Sequence, residues 1–382
     1  MARIFVAFYN GLMEFNRIPI FYESFCDGMK KYGNEVMIEM HSKFGADLID
    51  IPEEKKTNLI NFNPDICFIF NNAYYDITFL DCPIIIMESD SPIYYSNKES
   101  IKKNSQRYTF VTSQTSSVKI IKETYGEKCK VYRIPFFTEI LNKKEKQDIN
   151  ISFIGTRFDI SEETKRYRSV VRGLSSKELP EYLKVLREIE SNPFVNLNDL
   201  YLMGQFDEKI IERVDIGSIV CMLSGEKRIK LLSVLSDLGL KIYGTRNWIT
   251  TYYYDLDLAG CYDYELVTSL RENELIYNRS KIGISVAHIQ AKTGYAWRIM
   301  DIMASNAVLV SDYHADFLVD FGDIPFPIYN NRFEAREICK KLLDDSSMRK
   351  EIVGRCNELI ETKFRFKNYL FELEEALDIK LE

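Results

Sequence analysis

The sequence predicts an α/β protein of two doubly wound domains, each a parallel sheet covered on both faces, opposed across a central cleft, with helices at the C-terminus. Three observations carry this expectation. Short continuous apolar runs rich in β-branched and aromatic residues recur along the chain, as in strands buried on both faces. Helical periodicity returns between them. The chain is also 382 residues long and 46% hydrophobic, too long for one ordinary domain and apolar enough for two cores.

In the first half the strands fall at Arg3–Phe8, Glu35–Met40, Ile66–Phe70, Pro83–Met87, Thr109–Thr112 and Lys130–Ile134. A helix from about Pro19 to Tyr32 joins the first two. Its Phe21, Phe25 and Met29 share one face, and Gly33 stops it. The polar stretch Asn142–Asp148 then reads as a bridge, which bounds an N-terminal domain at residues 1–142 and a C-terminal one at 149–382. The second series runs Ile149–Gly155, Gly217–Leu223, Leu240–Gly244, Lys281–Ala287, Ala307–Asp312 and Pro325–Tyr329, with a helix at about Glu226 to Asp237. Residues 159–214 are long, charged and helical in pattern, an elaboration after the first strand of that series. The tail from Arg349 to Leu381 is helical, with Tyr369, Leu373 and Leu377 on one face. Both halves are therefore Rossmann-like.

Composition excludes several classes of function. The 50 basic residues against 57 acidic ones give a net charge of −7, unlike a nucleic-acid binder that needs a strongly basic face. Basic runs at Lys98–Arg107 and Lys143–Lys146 raise a peripheral contact with the inner face of a membrane. The eight cysteines are scattered and form no C-x-x-C pair, as in a reduced cytoplasmic protein. The N-terminal apolar stretch is too short for a signal peptide, and no run reaches the roughly 20 residues needed to span a bilayer. No G-x-G-x-x-G, Walker loop or G-x-S-x-G occurs, which removes the dehydrogenase, NTPase and hydrolase signatures.

The stretch Asn273–Gly322 carries the most chemistry. A buried strand is broken by Lys292-Thr293-Gly294, and a helix follows whose first turn bears Arg298 and Asp301, with Trp297, Met300, Met303 and Ala304 toward the core. Unpartnered N–H groups at a helix start bind a diphosphate, Arg298 can lie along the phosphates, and Asp301 can accept both hydroxyls of a ribose. An isolated Arg-x-x-Asp is otherwise an ordinary surface ion pair. The strand Ala307–Asp312 that follows makes the helix a crossover at the carboxyl edge of a parallel sheet, where ligands collect.

Tyr277-Asn278-Arg279-Ser280-Lys281-Ile282, Arg298-Ile299-Met300-Asp301 and Leu309-Val310-Ser311-Asp312 resemble the group 1 glycosyltransferases of the GT-B fold, specifically their CgeB-like branch. The segment Tyr329-Asn330-Asn331, with Glu334 and Leu342-Leu343 beyond it, fits as well. The similarity covers about residues 225–375. It implies a nucleotide-diphosphate sugar as donor substrate, no cofactor and no metal, retention at the anomeric carbon, and products in polysaccharide or glycoconjugate biosynthesis. The ribose-binding Glu of that pattern falls on Asp301, a shorter carboxylate, and Arg298 or Lys292 would neutralise the departing diphosphate.

Further candidates sit at other strand ends. Gly155-Thr156-Arg157 offers a close backbone approach and a guanidinium clamp, and Tyr243–Trp248 supplies Arg246. Asn10 and Gly11 follow the opening strand and face the acceptor. Asp90 is an acceptor contact or general base, or else caps a turn before Pro92. His288 ends the strand before the phosphate loop and can touch base, sugar or phosphate, whereas His41 and His314 read as turn residues. Asp255-Leu256-Asp257 matches a metal–diphosphate motif but lies inside the second domain, and no histidine pair has metal-ligand spacing. The expected function is sugar transfer to a glycan or glycoconjugate. A nucleotide-sugar epimerase or a non-catalytic nucleotide-sugar-binding protein on the same frame are the rivals.

Overall fold

The computed structural model describes residues 1–9, 18–41, 50–95, 98–158, 161–192, 206–214, 216–264 and 267–381. Two wholly parallel sheets form. The first has strand order β2-β1-β3-β4-β5-β6, with β1 Arg3–Tyr9, β2 Glu35–His41, β3 Ile66–Phe70, β4 Ile84–Met87, β5 Tyr108–Thr112 and β6 Lys130–Arg133. The second has order β11-β10-β9-β7-β8, with β7 Ile149–Ile154, β8 Leu240–Tyr243, β9 Ser280–Ser285, β10 Val308–Asp312 and β11 Ile328–Tyr329.

The apolar runs become central strands because helices cover both faces. The side chains of β3 and β4 are buried throughout. The helix Ile20–Lys31 buries Phe25 and Met29 on the first sheet, and Gly33 follows it at φ +84°, a left-handed conformation that glycine adopts without steric cost. On the second sheet, Gly283 of β9 lets the short helix Arg298–Ala304 pack close, since a Cβ there would lie 2.7 Å from Ile302 Cγ2. The helix Leu270–Arg279 starts on a full capping box, with Ser269 and Glu272 each serving the other's backbone N–H.

Two sequence expectations are corrected. Gly217–Leu223 is not a strand but lies inside the helix Ile216–Ser233. A short apolar run fits a buried helix as well as a strand, and here the apolar positions pack onto the helices Ser161–Gly173 and Glu178–Ser191. The last helix, Phe366–Leu377, packs on the first sheet rather than the second, with Phe366, Tyr369, Leu370 and Leu373 among Ile4, Val6, Phe25 and Phe68. The chain thus crosses between the sheets twice. The outbound crossing is tied to the inbound one by Thr138 N–H donating to Phe364 O at 2.9 Å.

Among the described residues no helix is long and apolar enough to cross a membrane. All eight cysteines are free thiols.

Candidate active site in the cleft

In a parallel sheet the order reverses at a topological switch point, and the loops leaving it open a crevice at the carboxyl edge. The first sheet switches between β1 and β3, the second between β7 and β9. The two crevices face one another. A cavity of about 350 Å³ lies between them, lined by Tyr9 after β1, Phe70 and Asn71 at the end of β3, Asp90 after β4, Phe158 after β7, and His288 and Gln290 after β9. Asp90 and His288, both marked by the sequence, therefore occupy opposite walls of one cavity.

Asp90 is held at both oxygens. Asn71 Nδ2 donates to Oδ2 at 2.8 Å within its own domain, and Gln290 Nε2 donates to Oδ1 at 2.7 Å from across the cleft. Asn71 also accepts the Ser89 and Asp90 backbone N–H groups, each at 2.8 Å, so it shapes the turn as well as the carboxylate. Asp90 keeps solvent contact through the cavity, while desolvation by the surrounding walls raises its carboxyl above its ordinary value.

His288 marks the other wall, with its ring edge-on to Phe158 at 4.8 Å. Burial first, and then the charges of Arg228, Lys227 and Arg298, press its imidazole pKa down to about 3. Three cations therefore converge on this position. Arg228 lies in the helix Ile216–Ser233, its guanidinium 4.3 Å from the Phe158 ring centre and 5.8 Å from that of Phe153. Arg298 sits 5.3 Å from the same Phe153 ring. Gly155 makes room for it, because a Cβ there would lie 3.2 Å from Arg298 Nη2. Arg298 Nη1 and Arg228 Nε are buried and unpartnered among the described residues. Burial and the neighbouring Arg298 lower the Arg228 pKa, with only Asp312 and Cys221 opposing. Arg157 is buried in the loop after β7.

Of Arg228, Lys227 and Arg298, Lys227 alone forms a close ion pair among the described residues, with Asp312 Oδ2 at 2.6 Å. Asp312 also meets His314 Nε2 at 3.4 Å and accepts from Ala287 N–H. Burial pushes its carboxyl up, but His314 and Lys227 outweigh that and hold it well below the usual carboxylate range. Its charge is spent on these partners. Arg228 Nη1 donates to Thr156 O, and neither guanidinium group forms an ion pair among the described residues; Asp312 acts on both and Asp301 on Arg298, yet the field that reaches His288 stays positive.

The site differs from the sequence expectation at several residues. Asp301 is 3% exposed and its carboxylate is fully engaged: Thr138 Oγ1 donates to Oδ1 at 2.6 Å, Trp297 Nε1 to Oδ1 at 3.0 Å and Asn273 Nδ2 to Oδ2 at 2.8 Å. Both its oxygens already accept from buried partners, which leaves ribose no exposed acceptor. Its role is to tie the crossing segment to the second sheet, and burial raises its pKa to about 6 against those three bonds and the Arg298 charge.

Thr293 and Gly294 are not an open anion loop either. Thr293 Oγ1 accepts from Ser116 N–H at 3.0 Å, and Gly294 N–H donates to Gln114 Oε1 at 3.3 Å, so this loop docks on the helix Thr115–Tyr125 of the first sheet. The contact continues through Thr115 N–H to Asp316 at 2.9 Å and Arg133 to Asp320 at 2.7 Å. Lys292 is exposed beside a further cavity of about 530 Å³ that shares His288 with the cleft.

Arg246 is exposed in the loop of the edge strand β8, where its charge acts on Tyr262, and it lines none of these cavities. Asn10 and Gly11 lie outside the described residues. Asp255 caps the helix Leu256–Gly260 by accepting from Leu258 N–H at 2.9 Å, a structural use of the Asp-x-Asp segment. His41 bonds to Ala73 O and stays out of the cleft lining.

Sequence reasoning missed Arg228, Lys227, Asn71 and Gln290. The one available signal was the charged run Glu226-Lys227-Arg228 next to the apolar segment Gly217–Leu223, and reading that segment as a strand obscured it.

No family model matches the sequence, and no curated sequence does. Solved structures do. Sucrose-phosphate synthase from Thermosynechococcus elongatus superposes with a TM-score of 0.58 at 8% identity over 98% of both chains. A mutant T4 phage β-glucosyltransferase in complex with UDP-glucose gives 0.54 at 12% identity over 99% of this chain and 100% of that one. A further structure of the same phage enzyme, described as DNA modifying, gives 0.52 at 12% identity over 99% of this chain and 100% of that one.

The fold is GT-B. Likeness at this identity establishes the architecture alone. The GT-B frame accounts for the two facing switch points and for a terminal helix that returns to the first sheet. The CgeB-like pattern is a separate matter of sequence and is not carried by these superpositions.

Proposed function

We propose that the protein is a metal-independent glycosyltransferase that moves a sugar from a nucleotide-diphosphate donor to a hydroxyl of a glycan or glycoconjugate. The observation that carries this reading is the set of buried guanidinium groups beneath His288, which form no close ion pair among the described residues and stand beside the switch point of the second sheet. Burying an uncompensated charge costs several kcal/mol, so such a cluster is explained by an anion that binds to it. A diphosphate of the donor supplies that anion against Lys227, which lines the adjoining cavities, while Arg228 and Arg298, buried behind His288, would stabilise through their field the negative charge that grows as the glycosidic bond breaks. Neutralisation by fixed cations is what supports transfer without a metal.

The transferred sugar then occupies the 350 Å³ cavity between His288 and Asp90. Asp90 faces it from the acceptor wall with a raised pKa, suited to take a proton from the attacking hydroxyl. His288, neutral at physiological pH, can donate a hydrogen bond to sugar or phosphate. Desolvation in the closed cleft strengthens each of these interactions. The resemblance to group 1 enzymes favours retention, and product stereochemistry is read by NMR.

The test is incubation with UDP-, GDP-, CDP- and dTDP-sugars and glycan acceptors, with duplex DNA as a further acceptor. Nucleotide release coupled to a new glycosidic bond is expected for one donor. Epimerised donor without nucleotide release, or binding without turnover across all acceptors, would overturn the reading. The Asp90→Asn variant should lose about 10² to 10⁴-fold in turnover while donor affinity changes little.

A further inference from the structure

With Asp301 engaged inside the protein, the donor needs another carboxylate for its ribose and another surface for its base. The cleft does not end at His288. That residue also lines the 530 Å³ cavity, which shares Lys227, Ile289, Asp312, Tyr313 and Glu190 with a third cavity of about 520 Å³. The three cavities lie in succession along the carboxyl edge of the second sheet, each sharing lining residues with the next, from Asp90 past His288 to β11. A bound nucleotide sugar is extended in the same sense, with sugar, diphosphate, ribose and base in succession.

Three carboxylates line the cavities beyond His288. Asp312 is taken by Lys227 and His314, and Glu226 pairs with Lys230 at 2.6 Å. Glu190 makes no hydrogen bond or ion pair among the described residues, although its neighbour Ile189 is fully buried in the cluster that anchors the helix Glu178–Ser191. Its backbone is fixed and its carboxylate is uncommitted. Tyr313 is 50% exposed between two buried neighbours, Asp312 and His314, which leaves an aromatic ring on a rigid mount. The opposite wall is also built. Asn330 donates twice to Glu334, and Asn331 accepts the Phe333 and Glu334 N–H groups.

We propose that the nucleoside end of the donor lies in this third cavity, with its base on the Tyr313 ring and its ribose hydroxyls on Glu190. This rests on the transferase reading above and gives the helical elaboration after β7 a function: it brings to the donor a carboxylate that the Rossmann-like frame itself does not provide. A carboxylate accepts from two vicinal hydroxyls, and a base of any identity stacks on an aromatic face.

The experiment measures, for the full chain, dissociation constants of UDP, GDP, CDP and dTDP and of inorganic pyrophosphate, in wild type and in Glu190→Gln, Tyr313→Ala and Tyr313→Phe. For the nucleotide that binds wild type, Glu190→Gln and Tyr313→Ala should each weaken binding about tenfold or more, and Tyr313→Phe should retain it. Pyrophosphate affinity should stay within about twofold throughout, since it fills only the phosphate part of these cavities. Nucleotide affinity unchanged in both variants would overturn the proposal. Parallel loss of pyrophosphate binding would do the same, by showing a general structural role. If neither nucleotides nor pyrophosphate bind wild type, the transferase reading itself falls.

Discussion

Asp301→Ala separates a structural carboxylate from a ribose ligand. In the folded protein three buried donors, Thr138 Oγ1, Trp297 Nε1 and Asn273 Nδ2, rely on this carboxylate. Truncation leaves all three unsatisfied, and at ~2 kcal/mol each that loses about 6 kcal/mol. Some is returned. The wild-type carboxyl has its pKa raised from 3.8 to about 6, so holding it ionised at neutral pH costs roughly 3 kcal/mol, which the variant avoids. The net loss is about 3 kcal/mol near pH 7, or a fall in melting temperature on the order of 10 °C.

The sign of the pH dependence follows from the raised value. The native state binds the Asp301 proton more tightly than the unfolded chain, so the wild type gains stability as pH falls from about 6 toward 3.8, and the variant does not. The gap between them should widen over that window. The assay is thermal unfolding from pH 4.5 to 8, with nucleotide titrated at pH 7.5. A variant with wild-type melting temperature that has lost its response to nucleotide would refute this reasoning and restore Asp301 to the ribose.

Other consequences are testable in the same way. Glu88 is buried, bonded by Thr112, Ser117 Oγ at 2.5 Å and Gln114 Nε2 at 3.0 Å, and burial raises its pKa to about 8. Wild-type stability should therefore decline as pH rises from about 4.5 to 8, and Glu88→Gln should flatten that slope; an unchanged slope would contradict the assignment. Gln290→Ala removes the bond to Asp90 across the cleft and, on the proposed reading of Asp90 as the base, should lower turnover by about tenfold with little effect on nucleotide affinity. Transfer should also persist in EDTA, and loss of activity restored by a divalent cation would refute metal independence.

The fold was legible because its signals were strong and local. Runs such as Ile66–Phe70 and Ile84–Met87 are continuous enough to specify two-sided burial, and all eleven strands of the sheets lie in or beside predicted segments except that Gly217–Leu223 belongs to a helix. That error shows the limit of periodicity, since an apolar run covered by neighbouring helices has no exposed face to set its period. The site was legible in part. Asp90 and His288 could be placed at carboxyl strand ends and Arg298 on a helix start at that edge, and the first two share a cavity. Arg228 could not, because its role depends on a helix crossing that puts it against Phe158, a contact between residues distant in sequence. Asp301 was misassigned for a related reason. Position on a helix tells which way a carboxylate points, but not that Thr138 and Asn273 reach it first.

The central claim is that the buried guanidinium cluster holds a donor diphosphate, and the most direct measurement is stabilisation by nucleoside diphosphate in wild type against Arg228→Met and Arg298→Met. At 100 times its dissociation constant the nucleotide should stabilise wild type by ~2.7 kcal/mol. Each variant should lose most of that response, and Arg228→Met should unfold, without ligand, no more easily than wild type, because one buried positive charge has been removed from beside another. Nucleotide affinity equal to wild type in both variants would contradict the account.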